Sequence, residues 1–279
     1  MIELIKKRLE KFHCTTPLAE EQALKEIVQE VALYSLWRAG FFDVAAFQGG
    51  TSLRILYGLP RFSEDLDFIL KQPDQSFDWK PYLNQLQNNL QDFGMLSEAV
   101  DKSRMDQRIK KALLKDNSVA NQLNLSFFNA RDGRKLRIKL EIDVNPPGES
   151  GFEYQYLDFP LDFEVCAQDM PSNFSLKIHA LLCRPYLKGR DWYDFSWYLA
   201  QGTHPNILHL QAALKQYGPW QDLNLTINTN WLKEVLKEKI LAISWDEAKQ
   251  DVERFLGDTE RESLELWGLR FFQSKVDKL

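Results

Sequence analysis

Apolar residues in the first part of the chain recur with the spacing of an amphipathic helix. Four of them follow the i, i+3, i+4, i+7 pattern: Leu24, Ile27, Val28 and Val31. Pro17 stands near the start of this run and Gly40 at its end, which is typical of helix boundaries. The pattern predicts a helix from about Pro17 to Gly40 that packs one face on a core.

Shorter elements follow this helix. The segment FFDVAAFQG predicts a buried strand, TSLRILYGL a short helix closed by Gly58 and Pro60, and SEDLDFIL a second strand. Another helix is expected near Pro81 to Phe93. The order strand, helix, strand places the residues around Gly49 between two elements of a sheet.

The segment from Asn124 to Val144 predicts a hairpin whose turn is Asp132-Gly133 in NARDGR. In its second strand, polar and apolar residues alternate, and the polar ones are Arg137, Lys139, Glu141 and Asp143. One face of that strand is therefore polar, and the other joins a core.

The remaining pattern sets the expected fold class. One more strand is predicted near Phe163 to Cys166, and everything from Ser172 onward predicts helices. We therefore expect a mixed α/β (α+β) chain with a mixed sheet and a helical C-terminal region. The expected boundary near Met170-Pro171 gives a domain with N-terminal helices at 1–170 and a helical domain at 171–279.

Composition narrows the class of protein. The chain has 279 residues, 44% of them hydrophobic, which is enough for one large domain or two modest ones. It contains no run of about 18 apolar residues, and the charged start MIELIKKRLEKF is unlike an apolar signal region, so a cytoplasmic protein without membrane contact is expected. The spacing of the three Cys and four His matches neither a disulfide framework nor a zinc site.

Charge is distributed unevenly along the chain. The net charge is −5, yet the segment from Lys102 to Lys139 holds eleven Lys or Arg against three Asp. Such a segment is a candidate contact for a polyphosphate or a nucleic-acid backbone. The alternative is a solvated, lysine-rich helix face.

Asp65 and Asp67 are the first candidates for chemistry. In a strand, residues i and i+2 project to the same face, so the two carboxylates lie side by side while Leu66 is directed into the core. Magnesium takes oxygen ligands, typically one or two carboxylates together with substrate phosphates. The pair therefore predicts a Mg²⁺ site, which Mn²⁺ could also fill, for a nucleoside triphosphate.

The residues Gly49, Gly50 and Ser52 precede this pair. Two glycines allow a tight strand-to-helix turn, and the N–H groups of the helix that follows attract an anion. The hydroxyl of Ser52 adds a donor. We expect these residues to bind the triphosphate, although a plain turn would need the same glycines.

Phosphoryl transfer with two metal ions needs a third carboxylate from another strand. Glu141 and Asp143 share one face of their strand, and either could supply it. The alternative is that both are outward charges on an edge strand. If the strand is central, two acids on one face need a metal or another cation.

These segments resemble the motifs of a known family. FQGGTSLRILYGLPRFSEDLDF resembles the first motif of the AbiEii-type nucleotidyltransferase toxins, within the DNA polymerase β-like superfamily, and RIKLEIDV resembles the second. SLKIHALLCR is similar to the third motif and KGRDWYDFSWYL to the fourth. The match covers roughly residues 45 to 200. It departs from the family where Thr51 separates Gly50 from Ser52, and where only Arg184 represents the arginine expected ahead of KGRD.

The later motifs add further candidate residues. Lys177 and Arg184 are seven residues apart and so lie on one helical stripe, where both could reach a triphosphate or simply form a basic surface. The resemblance implies that the lysine of the third motif and an aspartate of the fourth are essential. The candidates in the fourth motif are Lys188, Arg190, Asp191 and Asp194, although Asp191 could instead cap its helix.

The resemblance implies a polymerase β-like core and the transfer of a nucleoside monophosphate from NTP to an acceptor hydroxyl. A tRNA 3′ end is the expected acceptor, and an antitoxin encoded nearby is the expected partner. The sequence leaves two alternatives open. One is a nucleotidyltransferase that modifies a small molecule such as an antibiotic, and the other is a nucleotide-binding module without catalysis.

Overall fold

The computed structural model describes residues 2–104, 107–116, 118–123, 125, 135–221, 223 and 226–279. The chain divides into two compact units. The sheet unit comprises Met1–Tyr57, Phe62–Pro146 and Tyr154–Ala167. The helical unit comprises Gly58–Arg61, Pro147–Glu153 and Gln168–Leu279.

The described residues form twelve α-helices and seven strands. The helices up to residue 122 are α1 (Ile2–Glu10), α2 (Pro17–Arg38), α3 (Gly49–Tyr57), α4 (Lys80–Asp92) and α5 (Ser118–Gln122). The strands are β1 (Ala45–Gln48), β2 (Leu66–Leu70), β3 (Glu98–Asp101), β4 (Ile109–Asp116), β5 (Leu136–Asp143), β6 (Phe152–Leu157) and β7 (Phe163–Gln168). The later helices are α6 (Met170–Cys183), α7 (Gly189–Ala200), α8 (Ile207–Gln216), α9 (Thr229–Leu241), α10 (Trp245–Glu253), α11 (Asp258–Glu262) and α12 (Leu269–Val276). Short 3₁₀ turns lie at Phe41–Asp43 and Ser263–Leu266.

The strands form one mixed sheet in the order β3-β4-β5-β2-β1-β7-β6. Strand β2 is antiparallel to β1 and parallel to β5, and β5 is antiparallel to β4. Both β2 and β5 are therefore interior strands with a neighbour on each side. The expected mixed α/β class with a helical C-terminal region is confirmed.

Helix α2 starts at the expected residue, but its burial differs from the prediction. Thr16 caps the helix, since its hydroxyl accepts a hydrogen bond from Ala19 N. Every residue from 26 to 36 is buried, so the expectation of a single packed face is wrong. Two of these buried residues are acids, and ion pairs offset the cost of burying their charges. Glu30 pairs with Arg8, and Glu26 pairs with Arg54.

The basic segment differs most from its prediction. Residues Ile109–Asp116 form strand β4, so the alternative of a lysine-rich helix face is wrong for these lysines. Lys110 is 9% exposed and its Nζ donates to Gln75 O at 2.8 Å. The expected hairpin turn at Asp132-Gly133 lies outside the described residues. The antiparallel neighbour of β5 is β4, a strand that the sequence analysis missed.

The helical unit has an aromatic core. Trp192 is 1% exposed and contacts Phe272, and Phe272 stacks on Trp245 with ring centres 4.2 Å apart. Helix α7 approaches α10 closely at Gly189, which has no side chain. A Cβ at this position would stand only 1.8 Å from Ala248 O. In the part of the chain that the structure describes, every helix is too short or too polar to cross a bilayer.

Candidate functional site

The turn from β1 into α3 is built around Gly49. This residue has a φ of +78°, a conformation that costs other L-residues about 1–2 kcal/mol. A Cβ at this position would stand 2.7 Å from Asp67 Oδ2 and 3.1 Å from Asp67 Cβ. The missing side chain therefore lets the backbone of the turn lie directly against the Asp67 carboxylate.

The residues after Gly49 fix this turn to the segment that carries the aspartates. Thr51 is fully buried, and its hydroxyl contacts Ser63 Oγ at 2.9 Å and the carbonyl oxygen of Asp65. Ser52 is 1% exposed, and its hydroxyl donates to Gly49 O at 2.8 Å. The threonine that interrupts the family pattern thus has a structural role, since it positions the chain at Asp65.

Replacing Gly49 with Ala tests the contact with Asp67, and Gly58→Ala is the matched control. Both glycines have positive φ, but a Cβ at Gly58 would meet no atom within 4 Å. We expect Gly58→Ala to lower the free energy of unfolding by about 1 kcal/mol. Gly49→Ala should lower it further, because its Cβ would also meet Asp67, and urea unfolding measures both changes. Equal effects of the two substitutions would contradict the contact.

The carboxylates of β2 and β5 meet on one face of the sheet. The parallel pairing sets Asp67 directly opposite Glu141, so their side chains project to the same side. Asp65 lies two residues before Asp67, immediately ahead of the strand. Asp65, Asp67 and Glu141 are all partly exposed and accessible to a ligand.

Lysines lie beside these carboxylates. Lys111 Nζ of β4 contacts Glu141 Oε1 at 2.9 Å, and Lys139 Nζ of β5 stands 3.9 Å from Asp65 Oδ1. Glu141 therefore lies on an interior strand beside a compensating cation, and Asp65 has a second cation near it. The alternative of outward charges on an edge strand is wrong, because β5 is interior.

Asp143 is placed differently from Glu141. It pairs in register with Ile69, two residues beyond Asp67, and its side chain is only 10% exposed. Its carboxylate accepts hydrogen bonds from Arg108 Nε and Nη2 at 2.6–3.0 Å and from Asn145 N at 2.9 Å. These three donors occupy Asp143, so Glu141 is the better placed partner for Asp67.

The donor chemistry of this face fits a divalent metal in part. Carboxylate oxygens suit a hard cation, and Mg²⁺ commonly binds one or two of them together with substrate phosphates. Among the described residues, however, no three Asp, Glu, His or Cys side chains converge into a cluster that could hold a metal by themselves. Asp65 and Asp67 would therefore hold the ion jointly with a phosphate ligand, with Glu141 adjacent.

The candidate residues of the helical unit form a buried ion-pair network. Lys177 Nζ of α6 contacts Asp191 Oδ1 at 2.7 Å and Asp194 Oδ2 at 2.8 Å, both on α7. The side chain of Lys177 is 12% exposed, and those of the aspartates are 3% or less. The surface-stripe alternative is wrong for Lys177, because its charge is directed into the protein.

Two arginines complete the network. Arg184 donates to Asp191 Oδ2, and Arg61 donates from Nε and Nη2 to the two oxygens of Asp194, each at 2.6 Å. Arg61 is 3% exposed and lies 133 positions from Asp194 in sequence. Arg61 belongs to none of the predicted sites, and the only signal near it in the sequence is its position between Pro60 and Phe62.

Charge–charge contacts set the protonation states in this network. Burial alone would raise the pKa of Asp191, but Lys177, Arg184 and Lys188 lower it to about 2. Burial would lower the pKa of Lys177, yet Asp191 and Asp194 raise it above its ordinary value. Asp191 and Lys177 therefore both stay ionised near neutral pH.

The start of α7 contains the remaining candidates. Lys188, and not Asp191, precedes the helix, so Asp191 does not cap it. Arg190 Nε lies 3.8 Å from Asp251 Oδ2, and its guanidinium stacks over Phe255 at 4.2 Å.

Gly50, the remaining candidate of the sheet unit, lies buried in the first turn of α3. Each unit thus brings its own candidates together, carboxylates and a glycine turn in the sheet unit and a cationic network in the helical unit.

The chain is similar to known proteins both in sequence and in fold. The sequence model of the family described as nucleotidyl transferase AbiEii toxin, type IV TA system, matches residues 31–273. A solved structure of a candidate nucleotidyltransferase from H. pylori is 17% identical, with a TM-score of 0.51 over 91% of this chain and 95% of that one. JHP933 from Helicobacter pylori is 18% identical, with a TM-score of 0.48 over 90% and 94%. A comparison with curated proteins gave no significant match.

Proposed function

Since the chain belongs to the AbiEii family of nucleotidyltransferase toxins, we propose that it transfers a nucleoside monophosphate from NTP to an acceptor hydroxyl with the help of Mg²⁺ or Mn²⁺. The observation that carries this proposal is the sheet face where Asp67 lies opposite Glu141 and against Gly49. A compact turn beside two facing carboxylates suits a metal-bound triphosphate.

In this proposal, Asp65 and Asp67 hold the metal. Glu141 completes the carboxylate set and accepts the proton of the acceptor hydroxyl, in preference to Asp143, which Arg108 occupies. The bound metal would polarise the phosphate that is transferred. Gly49 and Gly50 hold the triphosphate through backbone N–H groups, while Ser52 keeps the turn closed through its bond to Gly49 O.

We propose that the cations of the helical unit stabilise the negative charge of the phosphates. Lys177 is pre-positioned by Asp191 and Asp194, so little conformational entropy is lost when it acts. Arg184, Lys188 and Arg190 supply further positive charge, as phosphoryl transfer depends mainly on positioning and electrostatics. Residues 1–170 would form the catalytic domain and residues 171–279 a helical domain that supplies the third and fourth motifs.

The family implies a toxin–antitoxin role and hence an antitoxin partner. We propose that the acceptor is RNA, specifically a tRNA 3′ end, and that the reaction takes place in the cytoplasm. Exposed basic residues of the segment from Lys102 to Lys139 support RNA as acceptor: Lys102, Arg104, Lys135 and Arg137. Lys110, Lys111 and Lys115 contribute less, because they are buried or ion-paired.

The test is to incubate the protein with total RNA, Mg²⁺ and each labelled NTP in turn. We expect label at RNA 3′ ends from at least one NTP, and none after the metal is chelated. Label on an added aminoglycoside or other small hydroxyl compound, with no retention on immobilised tRNA at moderate salt, would favour the small-molecule alternative. Binding of NTP without any transfer would favour the non-catalytic module.

A further inference from the structure

A partly open cavity of about 180 Å³ lies in the helical unit. It is lined by the end of α6, the loop that leads into α7, the first turn of α7, and the last turn of α9 with the residues that follow it. Its polar lining consists of Arg184, Lys188, Asp191 and Lys239, and Trp192 and Tyr186 are among its other walls. Lys239 comes from the part of the chain beyond residue 200, to which no motif was assigned.

The lining has an excess of positive charge, because three cations face one carboxylate. That carboxylate, Asp191, is already bound by Lys177 and Arg184. Within the described part of the chain, neither Lys188 nor Lys239 has a carboxylate at ion-pair distance. Burial lowers the pKa of Lys188 in spite of the nearby Asp191, and the neighbouring cations Lys177, Arg190 and Arg184 lower it further.

The geometry of the cavity restricts what could supply the missing negative charge. Pockets for drug-sized ligands typically measure about 300–1,000 Å³, so this cavity is too small for a whole nucleotide. It is large enough for one or two phosphate groups. Arg184 is held in place from two sides, by Asp191 and by the ring of Tyr186 at 5.2 Å, so its guanidinium is pre-organised for a tetrahedral oxyanion.

We propose that this cavity binds a phosphate-class anion and that Lys239 is one of its ligands, together with Lys188 and Arg184. The phosphate belongs either to the tail of a nucleoside triphosphate or to the backbone of the acceptor. The choice between these two sources rests on the proposed function, whereas the binding of a phosphate-class anion does not. Lys239 thereby gives helix α9 a role in substrate binding.

Inorganic pyrophosphate is the probe, titrated calorimetrically into the full-length protein without divalent metal. We expect the wild type to bind it and Lys239→Gln to bind it about tenfold more weakly, as the loss of a charge-assisted hydrogen bond implies. Lys237→Gln is the matched control on the same helix, because it removes the same charge from a lysine that pairs with Asp277 at 2.6 Å. It should bind pyrophosphate within about twofold of the wild type.

Equal weakening by both substitutions would overturn the proposal, because long-range charge alone would then explain the binding. Failure of the wild type to bind pyrophosphate would overturn it as well. Transfer kinetics of Lys239→Gln then identify the source: a raised KM for NTP indicates the triphosphate tail, and a raised KM for the acceptor indicates its backbone. The pyrophosphate titration needs no transfer, so its failure is distinguishable from failure of the proposed function.

Discussion

Replacing Asp65 and Asp67 together with Asn should lower nucleotide transfer by roughly 10³-fold or more. Metal assistance contributes several kcal/mol to a reaction of this class, and each 1.36 kcal/mol changes the rate tenfold. Both side chains are partly exposed, so the free energy of unfolding should change by no more than about 1 kcal/mol. Turnover with labelled NTP and a urea unfolding curve measure the two quantities on the same preparation.

The control is the double substitution Asp92→Asn and Asp162→Asn. It removes the same charge from two exposed positions of the sheet unit, one at the end of α4 and one between β6 and β7. Its transfer rate should stay close to that of the wild type. Substantial transfer by the Asp65, Asp67 variant, or an equal loss in the control, would contradict the metal assignment.

Asp194→Asn should destabilise the protein by about 3–5 kcal/mol, the usual cost of removing one member of a buried ion pair. Asp194 is fully buried and receives hydrogen bonds from Arg61 and Lys177. Asparagine has nearly the same shape but no charge, so both cations would lose a counter-charge in a medium of low polarity. The midpoint and slope of urea unfolding give the change in free energy.

Asp246→Asn is the matched control in the same unit. The side chain of Asp246 is 90% exposed and pairs with Lys249, three residues away on the surface of α10. Its removal should change the free energy of unfolding by less than about 0.5 kcal/mol. If Asp194→Asn were equally mild, the network would be a surface-like cluster and Lys177 would not be pre-positioned by it.

Several features of the fold were predictable from local pattern alone. The helix at Pro17, the short helix at Gly49 and the strand that carries Asp67 follow from periodicity and from glycine and proline signals. The strand begins at Leu66, so Asp65 lies immediately ahead of it and not within it as the pattern predicted. Strands β3, β4 and β6 were missed. Strand β4 contains several lysines that also suit a helix, and only its pairing with β3 and β5 makes it a strand.

The sequence by itself determined the family, the mixed α/β class and which acids stand beside a glycine turn, because these depend on residue types at short spacing. Only the tertiary structure decided that Asp67 faces Glu141 while Arg108 binds Asp143. It also decided that Arg61 and Lys177 share Asp194. Strand register and the partner of a buried charge depend on residues far apart in the chain, so no local pattern specifies them.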